Sequence, residues 1–235
     1  MSLKGLTIAH RGIFDNKEVA ENSLAAFKRA KELNIPIELD VQLTKDQTLV
    51  VFHDINLKRM CGIDKYLEDT TYQELQTLTL LTTKEKIPTL NEVLKLIQGK
   101  VLLDIEIKKT ENIELVCQKL KKELENYPGE FLLKSFQPNI VRHLKKTTKY
   151  KTGLLITTFP TSKIYSYLMS SILLIKYCNP DFIAINKKII KKKRIQHYRK
   201  KIPMFVWTIT NKKELEEYKN YADSYLCNYL PYHNN

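Results

Sequence analysis

The feature that most constrains the fold is a regular alternation of short apolar runs with helical patterns. Eight runs rich in aliphatic and β-branched residues indicate strands, at Leu6–Ala9, Ile37–Val41, Val101–Ile107, Phe131–Lys134, Gly153–Ile156, Phe182–Ile185, Met204–Thr208 and Ser224–Cys227. Seven helical patterns fall between them, at Ser23–Leu33, Leu90–Ile97, Asn112–Asn126, Pro138–Lys146, Lys163–Ile175, Lys187–Lys200 and Lys212–Asn220. Strands that alternate with helices form parallel sheets, so eight such units predict an α/β fold, the (β/α)8 TIM barrel.

The interval between the second and third strands is longer than a strand-to-helix connection requires. Thr48–Phe52 has the pattern of a strand that returns after the turn at Lys45–Gln47, and Asp69–Leu81 has that of a short helix. We therefore predict a small insertion at about residues 44–88, over the C-terminal mouth of the barrel, where active sites of this fold lie. The chain ends eight residues after Cys227, which predicts a reduced or missing last helix.

The length and composition of the chain fit a single domain over residues 1–235. A chain of 235 residues with 43% hydrophobic residues is within the range of one α/β barrel and can bury a core. The formal charge of +13 favours anionic partners such as phosphates, phospholipid surfaces or nucleic acid, without choosing among them. Much of the excess is lysine in a background rich in isoleucine, asparagine and tyrosine, so we interpret it mainly as compositional bias.

Several classes of protein do not fit the sequence. The four cysteines are scattered and form no C-x-x-C pair, which argues against a zinc knuckle or a redox motif. Met1–Lys4 runs directly into the first strand without a signal peptide, and the apolar stretch Ile164–Ile175 is too short to span a bilayer. We therefore expect a cytoplasmic protein. No basic patch interleaved with aromatic residues indicates a nucleic-acid partner.

Two histidines and three carboxylates lie at or beside the ends of apolar runs. His10 follows the first run, Glu38 and Asp40 alternate within the second, and His53 and Glu106 close two more. Since residues i and i+2 of a strand face the same side, Glu38 and Asp40 project together. Charges in apolar runs are costly to bury unless they are paired, hydrogen-bonded or bound to metal. The pattern therefore predicts a functional site.

The residue types in this pattern suit phosphodiester cleavage. Three carboxylates without cysteine favour Mg²⁺, Ca²⁺ or Mn²⁺ over zinc. Arg11 and Lys108 add permanent positive charge that matches a phosphate, and the two histidines titrate near neutral pH. Metal and cations would stabilise the developing charge. One histidine would deprotonate the nucleophile, and the other would protonate the leaving alkoxide.

The ordered set of motifs resembles the glycerophosphodiester phosphodiesterase family. In chain order the set reads His10-Arg11-Gly12, Glu21-Asn22-Ser23, Glu38-Leu39-Asp40, His53-Asp54 and Glu106-Ile107-Lys108. Each motif alone is weak, whereas their order and spacing, together with the insertion, are specific. The resemblance covers essentially the whole chain. It implies a metal-dependent phosphoric diester hydrolase that cleaves glycerophosphodiesters to an alcohol and glycerol 3-phosphate.

The resemblance also implies roles for the residues at matching positions. Glu38, Asp40 and Glu106 would bind one divalent cation, Mg²⁺ or Ca²⁺, with Mn²⁺ as a further candidate. His10 and His53 would be the general acid/base pair. The attacking nucleophile would be water or the neighbouring glycerol hydroxyl, the latter giving a cyclic phosphate intermediate.

The remaining matched residues would surround this centre. Arg11 and Lys108 would bind the substrate phosphate, and Glu21 and Asn22 would support the site near the metal and the first histidine. Trp207 would line the glycerol side of the pocket, although an ordinary core role fits this tryptophan equally well. The expected partner is therefore a small-molecule glycerophosphodiester. Nothing in the sequence predicts an oligomeric state.

The end of the chain departs from the family pattern. Ser224 and Asn228 stand where the family has glycine and aspartate. We expect this change to affect the closure of the barrel and the floor of the pocket, but not the metal ligands or the histidines. Ala20 replaces a usual proline and Ser23 a usual threonine, which alters loop stiffness but retains the hydroxyl.

Two other functions stay open on the sequence alone. A phospholipase that acts on intact or lysophospholipids would bring the positive charge and the Ile164–Ile175 stretch to an anionic membrane surface. This is the weaker alternative, because the same stretch fits an ordinary barrel helix. A non-catalytic barrel would bind phosphorylated ligands, but such relatives normally lack a histidine or a carboxylate, and none is missing here.

Overall fold

The computed structural model of the chain describes residues 2–157 and 172–228. Its strands are β1 (Thr7–His10), β2 (Ile37–Leu43), β3 (Leu49–Val51), β4 (Leu103–Ile107), β5 (Phe131–Ser135), β6 (Thr152–Ile156), β7 (Phe182–Asn186), β8 (Met204–Ile209) and β9 (Ser224–Cys227). Its helices are α1 (Leu24–Glu32), α2 (Lys58–Cys61), α3 (Tyr72–Leu75), α4 (Leu90–Ile97), α5 (Ile113–Leu124), α6 (Pro138–Thr147), α7 (Ile172–Cys178), α8 (Lys187–Ile190), α9 (Lys193–Arg199) and α10 (Lys212–Tyr218). All predicted strands are present, with ends that agree to within about two residues.

Backbone contacts divide the chain into two compact units. The first consists of Met1–His10 and Leu132–Asn235, and the second of Arg11–Phe131. In the first unit, parallel strands follow the order β1-β9-β8-β7-β6-β5, and helices separate most of them along the chain. This alternation is the pattern of a (β/α)8 barrel.

The second unit contains the other two parallel strands. β2 pairs with β4 so that Glu38 lies opposite Asp104 and Asp40 lies opposite Glu106. β3 pairs with β2 in the antiparallel direction, which confirms the returning strand predicted at Thr48–Phe52. The pairing of β2 with β4 sets three of the predicted site carboxylates at adjacent register positions.

The insertion after β2 packs its own apolar cluster. The buried members of this cluster are Ala20, Val50, Phe52, Leu57, Met60, Leu67, Leu75, Leu80 and Ile87. The predicted helix at Asp69–Leu81 is much shorter than expected, because only Tyr72–Leu75 is α-helical. After this helix the Gln76 side chain donates to the carbonyl of Ile87 at 3.1 Å, and Leu80 packs into the cluster.

The helix predicted at Lys187–Lys200 is divided into α8 and α9. Lys192 has extended backbone (ψ 128°) between them, and Gln196 donates its side-chain amide to the carbonyl of Ile190 at 2.8 Å. The break lets Ile190 and Ile195 both point into the interior. A continuous lysine-rich pattern does not reveal such a change of direction.

Ser224, one of the departures at the end of the chain, fits its position at the start of β9. It is fully buried, and its hydroxyl accepts from the N–H of Leu6 at 3.1 Å and donates to the carbonyl of Leu3 at 3.0 Å. The serine therefore joins the N-terminal segment to β9 in place of a glycine, within the first unit.

Two predictions concern segments that the structure describes only in part. The helix predicted at Lys163–Ile175 lies outside the described residues up to residue 171, as does most of the apolar stretch considered for membrane contact. The shortened end after the last strand falls on residues 229–235, which also lie outside them. Within the described ranges, no helix combines the length and apolarity needed to cross a membrane.

Candidate active site

Three carboxylates of β2 and β4 converge on one side of this strand pair. Glu38, Asp40 and Glu106 each offer an oxygen that lies within 4.8 Å of the other two. Their exposed fractions are only 1%, 1% and 6%, so little water stabilises their charge. The pairing of Asp40 with Glu106 across the strands is what brings them together.

Lys108 places a positive charge against this carboxylate cluster. It follows directly after β4, and its Nζ lies 2.7 Å from Oε1 of Glu106 and 3.2 Å from Oδ1 of Asp40. Burial lowers the pKa of Lys108, but the neighbouring charges of Asp40 and Glu106 outweigh it and raise this pKa above its ordinary value. The ammonium group of Lys108 therefore stays charged and neutralises part of the negative charge of Asp40 and Glu106.

Arg11 approaches the same cluster from a sharp turn. Its backbone is left-handed (φ 61°), and the next residue, Gly12, has φ 82°. The backbone N–H of Arg11 donates to Oε2 of Glu38 at 3.1 Å, and its Nη1 donates to Oε1 of Glu21 at 2.6 Å. A Cβ at Gly12 would lie 2.8 Å from Cβ of Ala26, so only glycine allows this turn to pack against α1.

Asn22 holds Asp40 in place. Its side-chain amide donates to Oδ2 of Asp40 at 2.9 Å, and its backbone N–H donates to the carbonyl of Arg11 at 3.0 Å. Ser23 then caps α1 by accepting from the N–H of Ala26. Burial raises the pKa of Asp40, but Lys108, His53 and Arg11 lower it well below its ordinary range, with help from the Asn22 hydrogen bond.

His53 belongs to a chain of charged hydrogen bonds. Its Nδ1 lies 2.7 Å from Oδ1 of Asp54. Burial raises the pKa of Asp54, but hydrogen bonds from Arg59 and His53 outweigh it and lower this pKa, so the carboxylate can only accept. His53 therefore carries its proton on Nδ1 and leaves the lone pair on Nε2. An open cavity of about 630 Å³ lies beside His53 and Lys108.

Arg59 bonds to two residues of the candidate site, and the sequence interpretation missed it. Its guanidinium makes two hydrogen bonds to Asp54, at 2.6 and 3.1 Å, and two to Glu21, at 2.7 and 3.0 Å. Burial alone raises the pKa of Glu21, but Arg59 and Arg11 lower it to about 2. Arg59 lies on a helix of four residues within the insertion, where the sequence pattern carries no signal for a site.

His10 and Trp207 lie in the first unit. Nδ1 of His10 is 2.8 Å from Oδ1 of Asn228, the asparagine that replaces the family's aspartate. Trp207 lies on β8 with its ring edge-to-face against Phe136, at 5.6 Å between centroids. Among the described residues, its buried Nε1 has no hydrogen-bond partner. The roles of both residues in a reaction stay predictions.

The donor set of the second unit fits a hard divalent cation. Glu38, Asp40 and Glu106 offer carboxylate oxygens and no sulfur, which is the ligand type that Mg²⁺, Ca²⁺ and Mn²⁺ prefer. Lys108 already bonds to Asp40 and Glu106 and would stand beside such an ion. The arrangement combines a carboxylate cluster, two cations and a histidine with an oriented ring.

Comparison with known protein families identifies the family of the chain. A model of the Glycerophosphoryl diester phosphodiesterase family matches residues 10–229, nearly the whole length. The chain belongs to this family. The family identification made from the motifs is therefore confirmed.

Two curated relatives show the range of names within this phosphodiesterase family. The chain is 35% identical over 228 residues to the glycerophosphodiester phosphodiesterase of Caldanaerobacter subterraneus subsp. tengcongensis, covering 91% of this chain and 89% of that protein. It is 28% identical over 256 residues to a lysophospholipase D of Rattus norvegicus, covering 92% of this chain and 79% of that protein.

The solved structures of the phosphodiesterase family confirm the fold. A phosphodiesterase of Oleispira antarctica, in complex with the product sn-glycerol-3-phosphate, has a TM-score of 0.81 and is 22% identical, covering 96% of this chain and 94% of that chain. The prediction of a barrel of eight parallel strands with helices between them is therefore correct. The single-domain organisation over residues 1–235 stays a prediction.

Proposed function

We propose that this phosphodiesterase uses one divalent cation and two histidines to hydrolyse glycerophosphodiesters to an alcohol and glycerol 3-phosphate. The observation that carries the proposal is the cluster of Glu38, Asp40 and Glu106, buried beside Lys108 and Arg11. Membership of the family supports the reaction class, as does the name of the Caldanaerobacter relative. The complex of the Oleispira phosphodiesterase with sn-glycerol-3-phosphate supports glycerol phosphate as the product that carries the phosphate.

The carboxylate cluster would hold the metal. Mg²⁺, Ca²⁺ and Mn²⁺ all suit three carboxylate ligands, with water and substrate oxygens completing the shell. A bound divalent cation would supply charge stabilisation to the phosphoryl oxygens and favour ionisation of an oxygen nucleophile. Arg11 and Lys108 would add fixed positive charge to the same phosphate.

The two histidines have different partners, and this difference assigns their roles. Asp54 is a carboxylate and would stabilise the positive charge that His53 carries once it is protonated, as a buried aspartate does for histidine in other hydrolases. Asn228 is neutral and only orients the ring of His10. We therefore assign His53 as the base that accepts a proton from water or from the neighbouring glycerol hydroxyl. His10 is assigned as the acid that protonates the leaving alkoxide.

A lysophospholipid is a second candidate substrate. The specific observation in its favour is the rat relative named lysophospholipase D. The match to that relative covers 92% of this chain. The same phosphodiester bond would be cleaved, with an acyl group on the glycerol. Location in the cytoplasm stays a prediction from the sequence.

The test is the release of glycerol phosphate from glycerophosphocholine by chelator-treated protein, with Mg²⁺, Ca²⁺ or Mn²⁺ added back. We expect added metal to restore turnover, and His10→Ala and His53→Ala each to lower kcat by about 10²- to 10⁴-fold. Glu106→Gln should require more metal for half-maximal activity, because one charged ligand is lost.

The outcomes separate the proposals. Turnover within a few-fold of wild type in either histidine variant would remove that residue from acid/base catalysis. An unchanged metal titration of Glu106→Gln would remove Glu106 from the ligand set. Turnover of lysophosphatidylcholine but not of glycerophosphocholine would select the second candidate. No turnover of either substrate with any metal, from folded protein, would contradict the proposed function.

A further inference from the structure

Arg59 joins two parts of the candidate site that are far apart in the sequence. Nε and Nη2 bond to Asp54, which follows His53, while Nη1 and Nη2 bond to Glu21, which precedes Asn22. All four contacts are charge-assisted hydrogen bonds, and the planar guanidinium fixes the two carboxylates relative to each other. Lysine has no such fork and could not make the same four bonds.

The backbone of Arg59 is held firmly enough to transmit this constraint. Its neighbours Leu57 and Met60 are 0% and 2% exposed and belong to the apolar cluster of the insertion. The N–H of Cys61 donates to the carbonyl of Leu57 at 2.7 Å, and the N–H of Leu81 donates to that of Met60 at 2.5 Å. The guanidinium therefore extends from a packed turn rather than from a free loop.

The bonds to Asp54 determine how His53 is presented. Oδ1 of Asp54 accepts from both His53 and Arg59, and Oδ2 accepts from Nε of Arg59. With both oxygens engaged, the carboxylate cannot rotate away from the imidazole. The His53 ring is then kept in one orientation and one tautomer, with Nε2 available for proton transfer.

We propose that Arg59 is a positioning residue for the phosphodiesterase reaction, which acts through Asp54 on His53. The same guanidinium supports Glu21, which accepts from Nη1 of Arg11 at 2.6 Å, so the insertion also steadies the phosphate-binding arginine. This inference rests on the proposed function for its kinetic part. It assigns to the insertion the task of completing the catalytic geometry.

Arg59→Gln is the direct test, with Lys65→Gln as the matched control in the same insertion. The Lys65 side chain is 38% exposed, pairs with the exposed Glu74 at 3.0 Å and does not line the cavity beside His53. We expect Arg59→Gln to lower kcat for glycerophosphocholine by about 10- to 100-fold, the usual cost of losing an outer hydrogen-bond partner, with a much smaller change in KM. Lys65→Gln should keep wild-type kinetics. Wild-type kcat in Arg59→Gln would overturn the proposal.

A double-mutant cycle with His53 separates positioning from a general effect on folding. If Arg59 acts through His53, Arg59→Gln should have little further effect on the residual kcat of His53→Ala. A further loss equal to that seen in the wild-type background would show that Arg59 acts elsewhere and would overturn the proposal. Arg59→Lys should lie between wild type and Arg59→Gln, because it keeps the charge without the fork. Should Arg59→Gln fail to fold, the cycle is run with Arg59→Lys, and failure of both to fold would make Arg59 a folding residue only.

The ring nitrogens of His53 give a measurement that does not depend on activity. In ¹H–¹⁵N correlation spectra of the histidine rings, with His53 assigned by its loss in His53→Gln, wild type should show a proton fixed on Nδ1. Arg59→Gln should show exchange between the two tautomers, whereas Lys65→Gln should match wild type. A fixed tautomer in Arg59→Gln would overturn the proposal. Absence of turnover in wild type, with the tautomer released in Arg59→Gln, would contradict the proposed function while the positioning role stands.

Discussion

Carboxylates outnumber cations in the hydrogen-bonded cluster around Asp40 and Glu21. The charged groups joined there are the carboxylates of Glu21, Glu38, Asp40, Asp54 and Glu106 and the cations of Arg11, Arg59 and Lys108. Negative charges exceed positive ones in this set, and a bound divalent cation would reduce the excess. Buried ions of one sign are costly without such compensation. This balance supports a metal requirement independently of any sequence motif.

The asparagine beside His10 allows a test at the scale of one residue. Asn228→Ala removes the acceptor 2.8 Å from Nδ1 of His10, so the ring loses one source of orientation. We expect kcat to fall by about 10-fold, at the low end for an outer hydrogen-bond partner, with the thermal midpoint unchanged. Asn228→Asp is the control, because a carboxylate accepts the same hydrogen bond and should retain activity. Equal losses in the two variants would show that this oxygen does not orient His10.

The sequence motifs identified most residues of the charged cluster but not the bonds among them. Glu38 and Asp40 were predictable because alternation in a strand places them on one face, and Glu106 because it ends a neighbouring apolar run. Arg59 was not, because its bonds to Glu21 join residues 38 positions apart and arise only when the insertion packs. Lys108 was predicted for the phosphate, yet its bonds in the structure are to the carboxylates of Asp40 and Glu106.

At the scale of elements, prediction was accurate where a local signal ends the helix or strand. Thr89 and Glu92 form a capping box, so α4 begins at Leu90 as predicted. Lys187–Lys200 has no comparable signal at its centre, because the break at Lys192 depends on packing of Ile190 and Ile195. Local chemistry therefore determines element ends, whereas changes of direction within a helical pattern depend on tertiary contacts.

The capping box of α4 should contribute measurably to stability. In Thr89→Ala the N–H of Glu92 loses the hydroxyl oxygen that accepts from it at 3.1 Å, and the Glu92 carboxylate loses the hydroxyl donor at 2.9 Å. We expect a loss of about 1 kcal/mol in the free energy of unfolding, which lowers Tm by roughly 2–4 °C in a chain of this size. Scanning calorimetry of Thr89→Ala and of the control Thr147→Ala, an exposed site near the end of α6, measures it. A larger shift in the control would contradict the assignment.

The stability of the whole molecule should depend on pH through groups whose pKa values are shifted in opposite directions. The pKa of Glu21 is lowered to about 2, so its ionised carboxylate stabilises the folded state at pH values above the ordinary pKa of glutamate. This contribution is lost as the pH falls toward 2. Asp40 and Asp54 also have lowered pKa values and act in the same direction. The formal charge of +13 adds repulsion in acid as carboxylates become neutral.

Glu123 on α5 acts in the opposite direction. Burial raises its pKa to about 6, against a smaller lowering by Lys119, and its Oε2 lacks a hydrogen-bond partner among the described residues. A raised pKa in the folded state means that the native protein binds the proton more tightly than the unfolded chain does. The contribution of Glu123 is therefore favourable in acid and is lost as the pH rises through about 6.

Glu123→Gln should therefore stabilise the protein at pH 7 but not at pH 4. Glutamine keeps the shape of the protonated acid without the cost of a half-buried charge, so the free energy of unfolding should rise at pH 7. At pH 4 the wild-type carboxyl is already protonated in the folded state, and the two proteins should unfold at the same urea concentration. Glu125→Gln, an exposed neighbour, serves as the control and should show no such pH-dependent difference. Equal effects of Glu123→Gln at the two pH values would show that burial of its charge does not govern the response.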